Sequence, residues 1–275
     1  MNYPKYSVLT SVYKKENPQY LKRCIESIAE QTVKTDDFVI IKDGSLTEEL
    51  EHVLTEMQEK YAFIHIYGYE LNHGLGHALN FGLKKTTNEI VARMDSDDVS
   101  LPTRCQHQLD EFIANPALDI IGTSIFEFEN TEENIVSVKY MPEKISDVRH
   151  YAKRRNPFNH PTVMYKKSSV IAHGGYMEGK RGEDFALFTK MIFEGCIGTN
   201  INKKLFLYRA DENQFKRRSS FVDANAVISV AKQNFHNGYI SVIDYLYIVL
   251  AQLMGFFIPA SIGHRIFKKF FRKST

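Results

Sequence analysis

The stretch VARMDSDDVSLP, Val91 to Pro102, sets an apolar run directly against three carboxylates, Asp95, Asp97 and Asp98, and closes on a helix-start signal. The run reads as the end of a buried strand. In an extended strand end, residues i and i+2 point the same way, so Asp95 and Asp97 are expected to project together while Ser96 and Asp98 face elsewhere. Two carboxylates crowded on one side repel, and a divalent cation or a proton must relieve that. Oxygen-only ligands suit Mg2+ or Mn2+ bridging a substrate phosphate better than zinc, which prefers His and Cys. Ser100 as N-cap and Pro102 just inside the next helix are expected to end the loop. Taken alone, such a triplet more often makes a solvated acidic turn that caps a helix.

Working outward, the chain alternates strands and helices. YSVLTSV (Tyr6 to Val12) is a β-branched run that predicts a first buried strand, and Leu21, Cys24, Ile25 and Ile28 follow at helical spacing. DFVIIKD (Asp37 to Asp43) repeats the strand signal, and Leu46 to Tyr61 carries Leu50, Val53, Leu54 and Met57 on one helical side. FIHIYGY predicts a third strand, GLGHALNFGLKKT a third helix and EIVARM a fourth strand. This rhythm specifies an α/β fold with a mostly parallel sheet and right-handed crossovers. Ligands of such sheets bind beyond the carboxyl ends of the strands.

Past Pro102, Leu101, Cys105, Leu109, Phe112 and Ile113 make another amphipathic helix, and DIIGTSIFEFEN and IVSVKYM read as antiparallel strands. From about residue 145 the pattern is mixed. HPTVMYKK is expected as a strand, SSVIAHGGY as a short helix with a Gly-Gly stop, and EDFALFTKMIFEG as a helix ending at Gly195. With no internal repeat or long linker, the expected layout is two halves, 1–100 and 101–215, sharing one core. A helical tail over 216–275 follows.

Composition narrows the class. Of 275 residues, 43% are hydrophobic and 25% charged, which excludes disordered and fibrous classes. A net charge of +2 gives no footprint for nucleic acid. Three scattered cysteines, Cys24, Cys105 and Cys196, lack CxxC spacing and point to a reducing compartment. The N-terminus MNYPKYSVLTSVY carries no secretory signal pattern, so a cytoplasmic location is expected.

Several further motifs join the acidic one. Asp43 in IIKDGS ends the second strand before a Gly-Ser turn, where it also reads as an Asx-turn residue. SVYKKE (Ser11 to Glu16) ends the first. NHGLGHALNFGL sets Gly74 and Gly76 before a helix N-terminus, where backbone N–H groups can approach a nucleotide or simply turn the chain. Glu183 and Asp184 open a helix with a buried stripe of Leu187, Phe188, Met191 and Ile192.

The ordered set SVLTSVYKKE, IIKDGS, NHGLGHALNFGL, ARMDSDDVSLPTR, NHPTVMYKK, GGY and GEDFALF resembles family 2 glycosyltransferases of the GT-A fold. The likeness is to the bacterial enzymes that build capsule, exopolysaccharide and O-antigen units. The resemblance spans at least the first 210 residues. It implies a Rossmann-like sheet, a UDP-sugar donor and an inverting, metal-dependent transfer to a saccharide on a polyprenyl diphosphate. It places Ser11 and Tyr13 beside the uracil, makes Asp43 accept a hydrogen bond from the base, and puts Asp95 on the ribose or metal. Asp97 would coordinate the Mn2+ or Mg2+ on the diphosphate, and Glu16, Asn72, Gly74, Ser96 and Arg209 would complete the donor site. Asp184 would be the general base, Glu183 would orient the acceptor hydroxyl or Asp184, and His160 with Pro161 would line the acceptor side.

The chain departs from the family in three places. Ala186 and Phe188 stand where many relatives carry an acidic residue and Trp, and Asp211 stands where a diphosphate-holding His is common. Lys216, Arg217 and Arg218 are alternatives for that last role. Two rival readings are a sugar nucleotidyltransferase, which needs a glycine-rich loop that SVYKKE lacks, and an inactive nucleotide-sugar-binding subunit.

YLYIVLAQLMGFFIP (Tyr245 to Pro259), interrupted by Gly255 and Pro259, falls short of the roughly 20 residues that span a bilayer. In HRIFKKFFRKST, Arg265, Lys268, Lys269 and Arg272 lie opposite Ile266, Phe267, Phe270 and Phe271. That pattern suits either the surface of an anionic membrane or a helix packed on the domain.

Overall fold

Short β-branched runs separated by amphipathic helices make a parallel half-sheet in this computed structural model, which describes residues 3–179, 181–210 and 221–257. Its elements are β1 (Tyr6–Val12), α1 (Pro18–Ala29), β2 (Asp37–Asp43), α2 (Glu48–Lys60), β3 (Ile64–Tyr69), α3 (Leu75–Leu83) and β4 (Ile90–Arg93). The strands lie in the order β3-β2-β1-β4, each pair parallel. The chain moves outward from β1 to β3 and then returns to β4 on the far side of β1. The β1/β4 boundary is therefore the switch point at which α/β sheets open a crevice.

The second half extends the same sheet. It comprises β5 (Val99–Ser100), α4 (Arg104–Ala114), β6 (Ile120–Phe128), β7 (Ile135–Lys139), α5 (Ile145–Ala152), a 3-10 turn (His160–Thr162), β8 (Met164–Lys166), α6 (Lys167–Ala172), α7 (Glu183–Phe193) and β9 (Gly198–Arg209). From β4 the order runs β8-β6-β9-β5, with β7 on β6, giving nine strands among the described residues. β6 and β7 are antiparallel, as expected. Two helices follow, α8 (Phe221–His236) and α9 (Val242–Phe257).

Alternation along the buried strands divides the core into two layers. Val8, Ile40 and Ala92 pack with Leu21, Cys24 and Ile25 of α1 and Leu109 of α4 on one face. Leu9, Val39 and Val91 pack with Leu79 of α3 and Leu187 and Phe188 of α7 on the other. Each fully buried aliphatic or aromatic side chain contributes about 1.5–3 kcal/mol, so the layers hold both halves together. Both layers cross residue 100.

Several expectations are corrected. Ser100 does not cap a helix: Val99–Ser100 pairs antiparallel with β9, and the helix starts at Arg104 with Thr103 as N-cap. Pairing with β9 wins because the Ser100 N–H donates to Ser27 Oγ (3.1 Å) and its hydroxyl accepts from Gln31 Nε2 (3.1 Å). HPTVMYKK is a strand only over Met164–Lys166, since Pro161 lies in the 3-10 turn. Gly255 does not interrupt α9. Asp211, Lys216, Arg217, Arg218, Pro259 and the stretch 264–275 lie outside the described residues.

Candidate active site

β1, β2 and β4 deliver their carboxyl ends to one edge. Ser11 and Tyr13 stand half-buried at the end of β1, and Asn17, whose side chain accepts from Gln19 N at 2.9 Å, starts α1 immediately behind them. Glu16 of this loop accepts a hydrogen bond from the Ser96 hydroxyl, which ties the end of β1 to the acidic loop after β4. Burial pushes the Glu16 carboxyl above the usual range.

In the acidic loop, one oxygen each from Asp95, Asp97 and Asp98 lies within 4.8 Å of the others. Asp98 is thus part of the cluster, against the expectation that it faces elsewhere. Beyond the last β4 residue the chain no longer keeps strand alternation. Asp98 is fully buried; its Oδ1 accepts the Arg209 N–H at 2.8 Å, while Oδ2 has no hydrogen-bond partner among the described residues. Burial first, then the charges of Asp95 and Glu16, push the Asp97 carboxyl up to about 7. Burial and Asp97 also raise Asp98. Crowded, desolvated oxygens with an orphaned acceptor fit a hard divalent cation such as Mn2+ or Mg2+.

Arg209 does not reach outward toward a diphosphate. Its guanidinium is closed between the rings of Tyr20 (3.6 Å) and Phe128 (4.6 Å), and Nε donates to the Asp97 carbonyl at 2.9 Å. It braces the acidic loop from behind.

Asp43 is likewise committed to protein. Its carboxylate accepts from Tyr69 OH (2.9 Å), Asn72 Nδ2 (2.8 Å), His73 N (2.8 Å) and Gly74 N (3.0 Å). Those four donors fill the four lone-pair sites of a carboxylate, so Asp43 anchors the loop before α3 rather than holding a free site for a base. Gly44 makes this possible: its φ is +86°, and a Cβ there would lie 2.8 Å from Asn72 N.

On the opposite wall, Glu183 and Asp184 occupy the first turn of α7. Asp184 Oδ1 accepts its neighbour Phe185 N at 2.8 Å, and Oδ2 accepts Asn156 Nδ2 at 2.7 Å. Burial raises the Asp184 carboxyl, and burial together with Asp184 pushes Glu183 up to about 7. His160 Nδ1 stands 3.8 Å from Asp184 Oδ2, and Nε2 stands 3.4 Å from the Tyr176 hydroxyl. Burial, reinforced by Arg93, holds the His160 imidazole well below its usual range and therefore neutral. Pro161 is buried beside it.

Arg93 links the two walls. It is 1% exposed, its Nη2 pairs with Asp95, and its Nε and Nη1 have no hydrogen-bond partner among the described residues. Its charge lowers the carboxyls of Glu183 and Asp184, against the burial that raises them. Sequence reading missed Arg93, Asn156 and Tyr176. The available signals were an arginine closing an apolar strand and an Asn fixed by Pro157.

A cavity of about 1040 Å³ opens beside Glu183, between the start of α3, the loop before α7 and α8, lined by Gly74, Gly76, Met177, Gly182, Glu183 and Ala226 among others. Gly76 permits the closure of its floor, since a Cβ there would fall 2.1 Å from the Met177 carbonyl oxygen.

An acidic loop at the switch point of a parallel half-sheet, facing helix-borne carboxylates, is the arrangement of a GT-A transferase. The chain belongs to glycosyl transferase family 2: the sequence profile of that family matches residues 7–175, more than half of the chain. An Escherichia coli protein, UDP-Gal:alpha-D-GlcNAc-diphosphoundecaprenol beta-1,3-galactosyltransferase, is 34% identical over 270 residues, covering 98% of both chains. The amylovoran biosynthesis glycosyltransferase AmsE of Erwinia amylovora is 35% identical over 213 residues, covering 78% of this chain and 79% of that one. Among solved structures, mannosyltransferase PcManGT from Pyrobaculum calidifontis, in complex with GDP-Man and Mn2+, superposes with a TM-score of 0.69. It is 14% identical and covers 98% of this chain and 76% of its own. S. aureus TarS 1-349 in complex with UDP-GlcNAc gives 0.66 at 17% identity, covering 92% and 72%. At these identities the likeness concerns the fold.

Proposed function

We propose that this chain transfers a hexose or N-acetylhexosamine from a UDP-sugar, with inversion, to a saccharide carried on a polyprenyl diphosphate, in cell-surface polysaccharide synthesis. The observation that carries the reading is the pair of carboxylate clusters on either side of Arg93, one with an orphaned oxygen and one without. The full-length relative named for UDP-Gal and a GlcNAc-diphosphoundecaprenol acceptor makes galactose the first sugar to test. A lipid-linked acceptor also sets the enzyme at the inner face of the cytoplasmic membrane.

Asp95, Asp97 and Asp98 would hold Mn2+ or Mg2+, which when bound would neutralise charge on the departing nucleoside diphosphate. Asp184 takes the proton of the acceptor hydroxyl. The oxygen then bonds to the anomeric carbon as the carbon–oxygen bond to the β-phosphate breaks, and UDP leaves with the electron pair. Glu183 orients the acceptor hydroxyl, and Asn156 holds Asp184 Oδ2 in position. Neutral His160 lines the acceptor side without competing for the proton. Ser11 and Tyr13 border the uracil.

The test is transfer from a panel of UDP-hexoses and UDP-N-acetylhexosamines to a synthetic GlcNAc-diphosphate lipid in Mn2+, read by mass spectrometry and by the anomeric coupling constant of the product. A β-linked hexose product from UDP-Gal is expected. UDP binding without transfer from any of the donors would leave the inactive-subunit reading standing instead.

A further inference from the structure

The largest set of exposed apolar side chains among the described residues lies on the C-terminal helix pair. Ten of the fifteen large hydrophobics exposed on the whole described surface fall between residues 221 and 257. α8 and α9 form an antiparallel hairpin, because Phe235 stacks on Tyr245 (5.7 Å) while Ala231 meets Ile248 farther along both helices. α9 turns its polar side inward. Its one charged residue, Asp244, is buried and accepts from Arg154 Nε at 2.7 Å and Ser241 Oγ at 2.7 Å. The outward side carries Val242, Ile243, Leu246, Leu250, Leu253 and Met254, from 44% to 69% exposed. At 100° per residue these six fall within roughly a third of the helix circumference, with no charge among them.

We infer that this stripe is a membrane-docking face that inserts into an anionic bilayer and sets the cavity beside Glu183 against it. The inference rests on the proposed lipid-linked acceptor and adds the surface that meets the lipid. Two observations choose the bilayer. First, the 18 residues after Phe257 contain five basic residues, Arg265, Lys268, Lys269, Arg272 and Lys273, and no Asp or Glu. A basic segment of this composition complements anionic headgroups and adds to the weak binding of an apolar stripe alone. Second, the hairpin is continuous with the cavity: Val222, 59% exposed, and Ala226 of α8 line it. No helix among the described residues is long and apolar enough to cross a membrane.

The test is flotation of the full chain with vesicles of phosphatidylcholine and phosphatidylglycerol, comparing the parent with Ile243→Ser/Leu250→Ser. Both positions are exposed, so the variant keeps the fold. The parent is expected to float, and the variant's bound fraction to fall at least about tenfold, given the apolar area withdrawn from lipid. Transfer to detergent-dispersed acceptor is expected to stay unchanged. Equal flotation of parent and variant would overturn the inference, as would a parent that does not float. A parent dimer that the variant converts to monomer in sedimentation would assign the stripe to a second copy. Flotation needs no turnover, so an absence of sugar transfer would remove the proposed function without deciding this result.

Discussion

The two carboxylate clusters of the site are both desolvated and both crowded, yet they solve the problem in opposite ways. Around Asp95, Asp97 and Asp98 the carboxylates crowd one another: Asp98 Oδ2 has no hydrogen-bond donor among the described residues and Asp97 is pushed up to about 7. Around Asp184 every oxygen has a donor, from Phe185 N and Asn156 Nδ2, and a neutral His160 stands alongside. An unsatisfied acidic cluster is completed by a cation, and a satisfied carboxylate in a dry wall is suited to a proton. Burial alone therefore does not assign a role. The count of remaining donors does.

If that division holds, the largest effect follows from Asp184→Asn. This isosteric change keeps the acceptor from Phe185 N but removes the base, so kcat should fall by about 10³-fold or more. Mn2+-dependent UDP binding, measured by calorimetry, should be unchanged. Loss of UDP binding in this variant would merge the two clusters into one.

Asp97→Asn is the converse. In a chelator, removal of one of the mutually repelling charges should raise the melting temperature by a few degrees. In Mn2+ with UDP the parent should gain several degrees and the variant almost none. A variant stabilised as well as the parent would reduce the cluster to an acidic turn.

The same contrast separates what sequence could reveal from what it could not. β1 and β2 were legible to the residue, because a fully buried parallel strand is a continuous β-branched run bounded by turn residues. The acidic loop was legible as a motif, but the convergence of Asp98 was not, since alternation stops where β4 ends at Arg93. β5 is two residues long and exists through its pairing with β9, which no local signal announces. The commitment of Asp43 to four donors depends on Asn72, His73 and Gly74 folding back from the far end of β3. The apolar run in α9 was plain; which side of it faces outward was decided by Asp244 meeting Arg154, 90 residues away in the chain.

Arg93 tests how far the clusters act on each other. Arg93→Met keeps the bulk of the strand end and removes the guanidinium that favours ionised Asp184. Asp184 is already raised by burial, and the groups facing it are Glu183, neutral His160, Asn156 and, more distantly, Asp95. With the cation gone, its carboxyl rises further. The base is needed ionised, so activity is lost as pH falls through a higher value than in the parent. The acid limb of kcat/KM should move up by about one pH unit, roughly a tenfold loss on that limb. An unmoved limb would mean that Arg93 serves Asp95 alone.

The smallest effect belongs to Asn156→Ala, which withdraws one neutral donor from Asp184 Oδ2 and leaves every charge in place. Loss of a single neutral hydrogen bond to this carboxylate costs about 1 kcal/mol, so kcat should drop by about fivefold. The expected split is a lower kcat with little change in the KM for the UDP-sugar, because Asn156 touches the proton-accepting wall and not the acidic loop. A small upward move of the acid limb should accompany it, in the same direction as for Arg93→Met but smaller, since a neutral dipole stabilises an anion less than a full charge does. If the donor KM rose instead, Asn156 would be reaching across the cavity, and the division of the site into a cation wall and a proton wall would fail at that residue.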